Sequence, residues 1–363
     1  MLPRRDVPLV ATAAALVFSR VFGLSLVLPN FRGHYDAALA ADAVWIGTAF
    51  GAYGLTMALV QLPAGLLSDR IGRRPVLWAS SALFVLGSVA AAYADDITTL
   101  IAARLAQGLG AIASVAMAAV GETVPQQRRT FAMAMVGIPA GAGFLVGIAA
   151  GPALYPHVGM RGLFLLTAVI GAVPMLALPW VRIAAAHERP PPSPGNRRPL
   201  ASLAMAGFVS NYALTTTLWF LPTSNWRALL PMLLVALLLV GGLTRAIDRR
   251  GWTRGPIAAG MLTVVAAASG FALAGGTAAL LFGGLFFTAH ATLQATLPSQ
   301  VSRLAGAAGG RGHGMQNIVA YLGTFAAGPV AGVFAAHTTR AFAVLALLAA
   351  AASWTVLRAV PQA

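Results

Sequence analysis

Residues 65–77 read Gly65-Leu-Leu-Ser-Asp-Arg-Ile-Gly-Arg-Arg-Pro-Val-Leu77. Asp69, Arg70, Arg73 and Arg74 crowd into this stretch of a chain in which only 9% of residues are charged. It is flanked by apolar runs at 42–66 and 75–94, each of about twenty residues, the length of a membrane-spanning helix. A polar turn this short between two such runs requires Gly72, where a side chain would obstruct the turn. Asp69, at a helix end, can pair with a nearby arginine or accept from the exposed N–H groups at another helix's N-terminus. Arg73 and Arg74 can reach a carboxylate on a neighbouring helix or lipid phosphates.

The composition fits a bilayer. The chain has 363 residues, 58% hydrophobic, with a mean hydropathy of +0.79. A soluble domain averages about 25% charged residues, and this chain has too few charges to cover a water-facing surface. Only helices or a closed barrel span lipid. Barrel strands would alternate polar and apolar over about ten residues, whereas the runs here are nearly continuous, so the expected class is all-α. There is no cysteine, which excludes disulfides and thiolate metal sites and leaves the redox compartment unreadable. The net charge of +15 raises nucleic acid as a partner; the apolar runs and the placement of the arginines argue against it. The first run is too long for a signal-peptide core and has no evident small-residue cleavage site, so a retained first helix is expected.

Twelve spans are expected at 8–30, 42–66, 75–94, 97–121, 130–154, 161–183, 201–222, 226–247, 255–273, 277–298, 312–336 and 340–358, each about twenty residues. Loops are short, the turn Leu221-Pro-Thr-Ser-Asn-Trp226 especially. The exception is the Pro-rich stretch from His187 to Pro199, which reads as an extended linker. The domains are therefore a six-helix bundle over 1–183, a linker over 184–200 and a second six-helix bundle over 201–363.

All 24 basic residues are arginine. With twelve spans, eighteen fall on the side of the N-terminus and four (Arg32, Arg161, Arg227 and Arg340) on the other, while Arg20 and Arg104 lie inside spans. That asymmetry places both termini and the linker in the cytoplasm and requires an even number of helices. The halves also echo each other. Asp69-Arg-Ile-Gly72 follows span two and Asp248-Arg-Arg-Gly251 follows span eight; Gly151-Pro152 lies in span five and Gly328-Pro329 in span eleven. The offsets, 179 and 177 residues, indicate a duplicated six-helix unit, the parallel repeat of one transporter class.

The 65–77 stretch resembles the signature loop of the major facilitator superfamily, G-x-L-x-D-R-x-G-R-R-x-x-L, at every fixed position. Arg104-Leu-Ala-Gln107-Gly108-Leu-Gly110 resembles the family's R-x-x-Q-G-x-G element. Gly147-Ile-Ala-Ala-Gly151-Pro152 resembles the start of its antiporter element, although Leu154 and Tyr155 stand where that element closes with two glycines. Phe22 to Pro29 and Leu297-Pro-Ser299 are similar to the drug:proton antiporter branch, near YajR-type bacterial exporters. The resemblance implies two pseudo-symmetric six-helix bundles in an inner or plasma membrane, alternating access, and a conformational latch. Carried over, the latch comprises Gly65, Asp69, Arg70, Gly72, Arg73, Arg74 and Glu122, with the N-terminus of span eleven (Gly312 to Met315) as dipole partner. The plainer alternative is that these arginines only satisfy topology.

Inside the spans the polar residues are few. A charge at the bilayer centre costs roughly 2.5–3.5 kcal/mol on insertion scales, so it normally faces protein or a cavity. Arg20 and Arg104 are candidates for a cavity; the alternatives are snorkelling and a buried contact that orients helices. Gln107, Asn211, Tyr212, His290 and Gln294 complete the cavity candidates. The family's cavity is lined by spans one, four, seven and ten. His290 and Gln294, four apart, share one helix face; a lone intramembrane histidine serves equally well as a helix–helix hydrogen bonder. The resemblance also implies an acid near position 294, where this chain has glutamine, so proton coupling must be arranged differently. Gly143, Gly147, Gly151 and Pro152, like Thr324, Gly328, Pro329 and Gly332, form smooth faces suited to close helix packing. Trp219, Trp226, Trp252 and Trp354 near span ends read as interfacial anchors.

The function expected from all this is proton-coupled efflux of small hydrophobic or amphipathic molecules. The alternative is a facilitator or symporter for a polar or anionic metabolite held by Arg20 and Arg104. An intramembrane enzyme would need clustered nucleophile, acid and base or metal ligands, and no such cluster is visible. With no lysine, no ATP-binding P-loop is encoded. The longest loop is too short to be the soluble domain of a transporter-like sensor. No cofactor or metal is expected; the partners are a small-molecule substrate, protons and membrane lipid, with the chain acting as a monomer.

Overall fold

The computed structural model describes residues 6–39, 41–110, 113–183, 197–221, 229–274, 276–305 and 309–361. Residues 184–196, which hold most of the expected linker, and Trp226 lie outside the described residues. Among the described residues twelve helices follow in order: α1 Val7–Ala38, α2 Ala43–Ile71, α3 Arg73–Ala92, α4 Ile97–Leu109, α5 Ala113–Thr123, α6 Gln126–Ala177, α7 Arg197–Trp219, α8 Leu229–Arg249, α9 Arg254–Leu273, α10 Gly276–Ala305, α11 Gly309–Val333 and α12 Thr338–Ala359. A short 3-10 turn, Leu178–Trp180, follows α6, and there is no strand among the described residues. Eight stretches among the described residues are long and apolar enough to cross a membrane.

Helices and expected spans do not correspond one to one. Span four holds α4, which ends at Leu109, and α5, with residues 111–112 between them outside the described residues. Just past α4 the Gly110 carbonyl accepts from Arg20 Nε at 2.6 Å, and Gly110 lies against Ser80 and Phe84 so closely that a Cβ there would meet Ser80 O at 2.6 Å. Spans five and six run together as α6, a 52-residue element in which Gly159 alone leaves helical geometry, with φ 64° and ψ −175°. The loop expected around 155–160 is thus a single left-handed glycine. Helix α7, Arg197–Trp219, takes in residues 197–200 of the segment expected to be linker.

The chain divides into two compact units, Met1–Ala41 with Leu55–Pro190, and Asp42–Gly54 with Pro191–Ala363. Helix α2 is shared: its first part belongs to the second unit and the remainder to the first.

In the first unit α1 lies along α6, and α3 packs on α4 and α6. The α1–α6 contact is the glycine face expected for span five. A Cβ at Gly143 would meet Phe18 O at 3.1 Å, one at Gly147 would meet Phe22 O at 2.7 Å, and one at Gly151 would collide with Leu26 O. Without side chains in the way the two backbones approach closely, and van der Waals contact does the work that the hydrophobic effect cannot do between helices in lipid. One end of this unit is filled by small apolar residues, among them Leu9, Ala13 and Leu16 of α1, Val76 and Leu77 of α3, Ala116 and Val120 of α5, and Ala132 and Val136 of α6.

In the second unit α7 lies along α11, α9 packs on α10 and α12, and α8 packs on α10. The pairing of α7 with α11 repeats that of α1 with the first part of α6, and here too a glycine permits it: a Cβ at Gly323 would collide with the Phe208 backbone. Helix α11 carries a second glycine face, Gly328 and Gly332, against residues 43–54 of α2. Gly47 and Gly328 approach backbone to backbone, a Cβ at Gly51 would meet Phe325 O at 2.7 Å, and one at Gly54 would meet Tyr321 O at 2.9 Å. Trp219 is 2% exposed and lies edge-on to Phe50 at 5.6 Å. It is not an interfacial anchor, because the end of α7 is covered by this part of α2. Trp252 and Trp354, at 44% and 56% exposure, do stand at the surface.

Candidate functional site: an ionic turn and two buried polar clusters

The turn between α2 and α3 is made by Gly72, with φ 94° and ψ 157°, a conformation that L-residues with a side chain avoid. It points Arg73, the first residue of α3, back under the end of α2. The Arg73 side chain is 1% exposed and its guanidinium is enclosed by acceptors. Nε donates to Glu122 Oε2 at 3.1 Å and Nη2 to Glu122 Oε1 at 2.7 Å, a two-pronged pairing that fixes geometry as well as charge. Nη2 also pairs with Asp69, and Nη1 donates to Ser68 Oγ and, at 3.5 Å, to Gly65 O. Three elements meet there: the end of α2, the start of α3 and the end of α5.

Arg74 has a different task. It is exposed, and its Nη2 donates to Val181 O, tying the start of α3 to the chain just past the 3-10 turn. Arg70 is exposed as well. The structure therefore brings Gly65, Asp69, Arg73 and Glu122 together around one guanidinium, with Arg70 and Arg74 outside that cluster. Ser68, which the sequence reading did not single out, is a member. A hydroxyl one residue before Asp69, on the same last turn of α2, was the available signal.

Inside the first unit, Arg20 is 5% exposed and tied to its surroundings. Besides Gly110 O, it donates to Leu16 O at 2.8 Å and Ser81 Oγ at 2.6 Å, and it lies over the Phe84 ring at 5.6 Å. It fastens α1 to α3 and to Gly110, just past α4. Arg104 is fully buried. Its Nη1 donates to Gln107 Oε1 at 2.7 Å, Gln107 Nε2 donates to Ser88 Oγ at 2.9 Å, and the guanidinium lies 5.5 Å from the Phe31 ring centre. The Arg20 bonds to Leu16, Ser81 and Gly110 and the Arg104–Gln107–Ser88 chain share no residue.

In the second unit two hydrogen bonds join α7 to α10 in step. Ser210 Oγ and His290 Nδ1 are 3.0 Å apart, and Gln294 Nε2 donates to Asn211 Oδ1 at 3.1 Å. Adjacent residues on α7 meet residues four apart, one turn, on α10. His290 is 6% exposed and stacks against Phe286 with ring centres 6.1 Å apart. Tyr212 is 2% exposed and stacks instead on Phe208, on its own helix, at 6.0 Å. The seven cavity candidates therefore form two groups: Arg20, Arg104 and Gln107 in the first unit, and Asn211, Tyr212, His290 and Gln294 in the second. Among the described residues no three His, Asp or Glu side chains come together as a metal-ligand set.

The sequence profile of the Major Facilitator Superfamily matches residues 10–328. The inner membrane transport protein YajR of Escherichia coli K12 is 40% identical over 166 residues, 46% of this chain and 37% of that protein. MdtD of Yersinia enterocolitica, provisionally named a multidrug resistance protein, is 33% identical over 147 residues, 40% of this chain and 31% of that one. The match spans about two fifths of the length of the first curated relatives. Among solved structures, the inward-open xylose transporter XylE from E. coli superposes with a TM-score of 0.78 at 12% identity, covering 98% of this chain and 96% of that one. The human organic anion transporter MFSD10 gives 0.72 at 17% identity, covering 98% and 100%. At such identities the structural likeness shows the fold alone. With a family profile spanning most of its length and two bundles built on this shared plan, the chain belongs to the Major Facilitator Superfamily, an integral membrane family whose members are not enzymes.

Proposed function

We propose that the protein is a secondary active transporter that exports small hydrophobic or amphipathic molecules in exchange for protons, by alternating access. The observation that carries this reading is the chemistry of the α7–α10 pairs. Ser210, Asn211 and Gln294 are neutral hydrogen bonders, His290 carries no fixed charge, and no Asp or Glu occurs within any expected span of the second half. Such a lining favours uncharged or weakly polar molecules, which gain from apolar walls and need few oriented polar contacts. Similarity to YajR and to MdtD, the latter named for multidrug resistance, supports export. Transport of a polar or anionic metabolite is the weaker reading, since Arg20 already gives three of its donors to the protein.

His290 is the leading proton carrier in this proposal. Of the side-chain types, histidine titrates nearest neutral pH when unperturbed, and the arginines cannot release protons. His290→Gln keeps a hydrogen-bonding side chain opposite Ser210. In proteoliposomes this variant should still bind substrate but lose its response to an imposed pH gradient. If it concentrates substrate against a gradient like wild type, His290 only holds helices together and the coupling group lies at Glu122 or elsewhere. A stabilisation screen on purified protein separates the substrate classes: lipophilic cations stabilise an exporter of the proposed kind, organic anions the alternative.

The Asp69–Arg73–Glu122 cluster is, in this proposal, a conformational latch on the cytoplasmic side that favours the outward-facing state. Glu122 and Arg73 set the base of the latch, and the half-exposed Asp69 is the member able to exchange partners. The cytoplasmic placement of both termini and of the 184–200 segment belongs to the same proposal. A cysteine placed at Ser193, in a chain with none of its own, should stay unlabelled by an impermeant reagent in intact cells; labelling there would overturn the assigned orientation.

A further inference from the structure

We infer that the end of α8 is a binding site for an anionic phospholipid, seated by its headgroup phosphate among Arg245, Arg249 and Arg250. These side chains, with Gly242 and Ala246, line a crevice of about 360 Å³. All three arginines are exposed, and no ion pair to any of them is present among the described residues. Asp248, whose side chain lies outside the described residues, offers one negative charge against three positive. Arg245 and Arg249 are one helical turn apart, where like charges repel and weaken the helix. An anion between them turns that repulsion into binding, and arginine is the cation best matched to phosphate oxygens.

The rest of the same helix face selects a lipid over a soluble anion. One turn before Arg245, Gly241 and Gly242 leave open space where a Cβ would stand. Before them on the same face come Leu238 and Leu234, 78% and 58% exposed. The face therefore passes from exposed leucine through a bare glycine step to a cationic crevice, which is the order of an acyl chain, a glycerol backbone and a phosphate. Trp252 is 44% exposed, and Arg250 lies over its ring at 4.7 Å. Tryptophan is enriched at the level of the headgroups, which sets the crevice at the depth a phosphate occupies.

The test is native mass spectrometry of the detergent-purified full chain with added phosphatidylglycerol, with phosphatidylcholine, and with inorganic phosphate alone. Phosphatidylglycerol should be retained in preference to phosphatidylcholine, and inorganic phosphate should not displace it. The Arg245→Gln, Arg249→Gln, Arg250→Gln triple variant should bind phosphatidylglycerol on the order of a hundredfold more weakly, the product of about fivefold per basic residue near an anionic lipid surface. Arg303→Gln, at the end of α10, should bind as wild type does. Gly242→Glu guards against misfolding as the explanation. It keeps all three arginines, places a carboxylate in their crevice from an open position, and should lose the phosphatidylglycerol preference while unfolding at no lower temperature. Equal retention of the two lipids by wild type, unchanged selectivity in the triple variant or in Gly242→Glu, or full displacement by inorganic phosphate would each overturn the assignment.

Discussion

The turn after α2 and the turn after α8 share a sequence motif and a positive-φ glycine but differ in length and chemistry, one residue separating α2 from α3 and four separating α8 from α9. Each ends its helix with Asp-Arg-x-Gly, and each glycine is left-handed, Gly72 at φ 94° and Gly251 at φ 63°. Each is tethered to the far end of its own half: Arg74 donates to Val181 O and Thr253 Oγ1 to Pro361 O at 2.6 Å. The offset of 179 residues that carries Gly72 onto Gly251 carries Arg74 onto Thr253, and the two acceptors are 180 apart. The same offset carries Arg73 onto Trp252, and offsets of 177–179 place Ser299, Gln300 and Val301 where Glu122 stands. The second turn lacks both members of the buried pair. A guanidinium without its carboxylate, or the reverse, is costly to bury, so the two are present together or absent together. In the first turn the basic charge at Arg73 points inward and binds the end of α5. In the second the remaining arginines point outward, which leaves them available to lipid.

The contrast can be broken by mutation. Glu122→Gln should have the largest effect on stability, lowering it by about 3 kcal/mol, because Arg73 would stay buried with only the half-exposed Asp69 as counter-charge. Thermal unfolding in detergent reads this directly. Arg73→Met added to Glu122→Gln should recover part of the loss, since removing both partners leaves no buried charge. The tethers should matter equally in both halves. Arg74→Ala and Thr253→Val should each cost about 1 kcal/mol, the net worth of one hydrogen bond, and a large inequality between them would show that the two turns are not equivalent scaffolds. Trp252→Ala, the counterpart of a change at Arg73, should stay within about 0.5 kcal/mol, as surface changes usually do.

What the sequence disclosed follows from which interactions are local. The positive-φ turn at Gly72 and the glycine face of span five depend on residue type and spacing, and both could be read directly. The glycine face of α2, at Gly47, Gly51 and Gly54, is equally local in its spacing, and its partner face on α11 shows only in the packing. Other features depend on partners distant in the chain. The end of α4 at Leu109 is followed by Gly110, whose carbonyl accepts from Arg20, ninety residues earlier. Arg20 was recognisable as an intramembrane charge, yet its ties to Leu16, Ser81 and Gly110 follow only from three-dimensional packing. Trp219 near a span end fitted interfacial anchoring on composition, and only the packing of residues 42–54 shows why it is buried. The hydrogen-bonded pairs Ser210–His290 and Asn211–Gln294 depend on the register of α7 against α10, which no single helix encodes.

The latch is proposed for the first turn and not for the second. The measurement that tests it is substrate flux in proteoliposomes containing equal amounts of folded wild-type and Asp69→Asn protein. Asp69 is the exposed member of its cluster, with 40% of its side chain accessible, so the change should leave the fold and the Arg73–Glu122 pair in place. Flux should fall on the order of tenfold, the scale of a conformational coupling energy of one to two kcal/mol. Flux equal to wild type would contradict the account and remove the latch role proposed for the turn after α2.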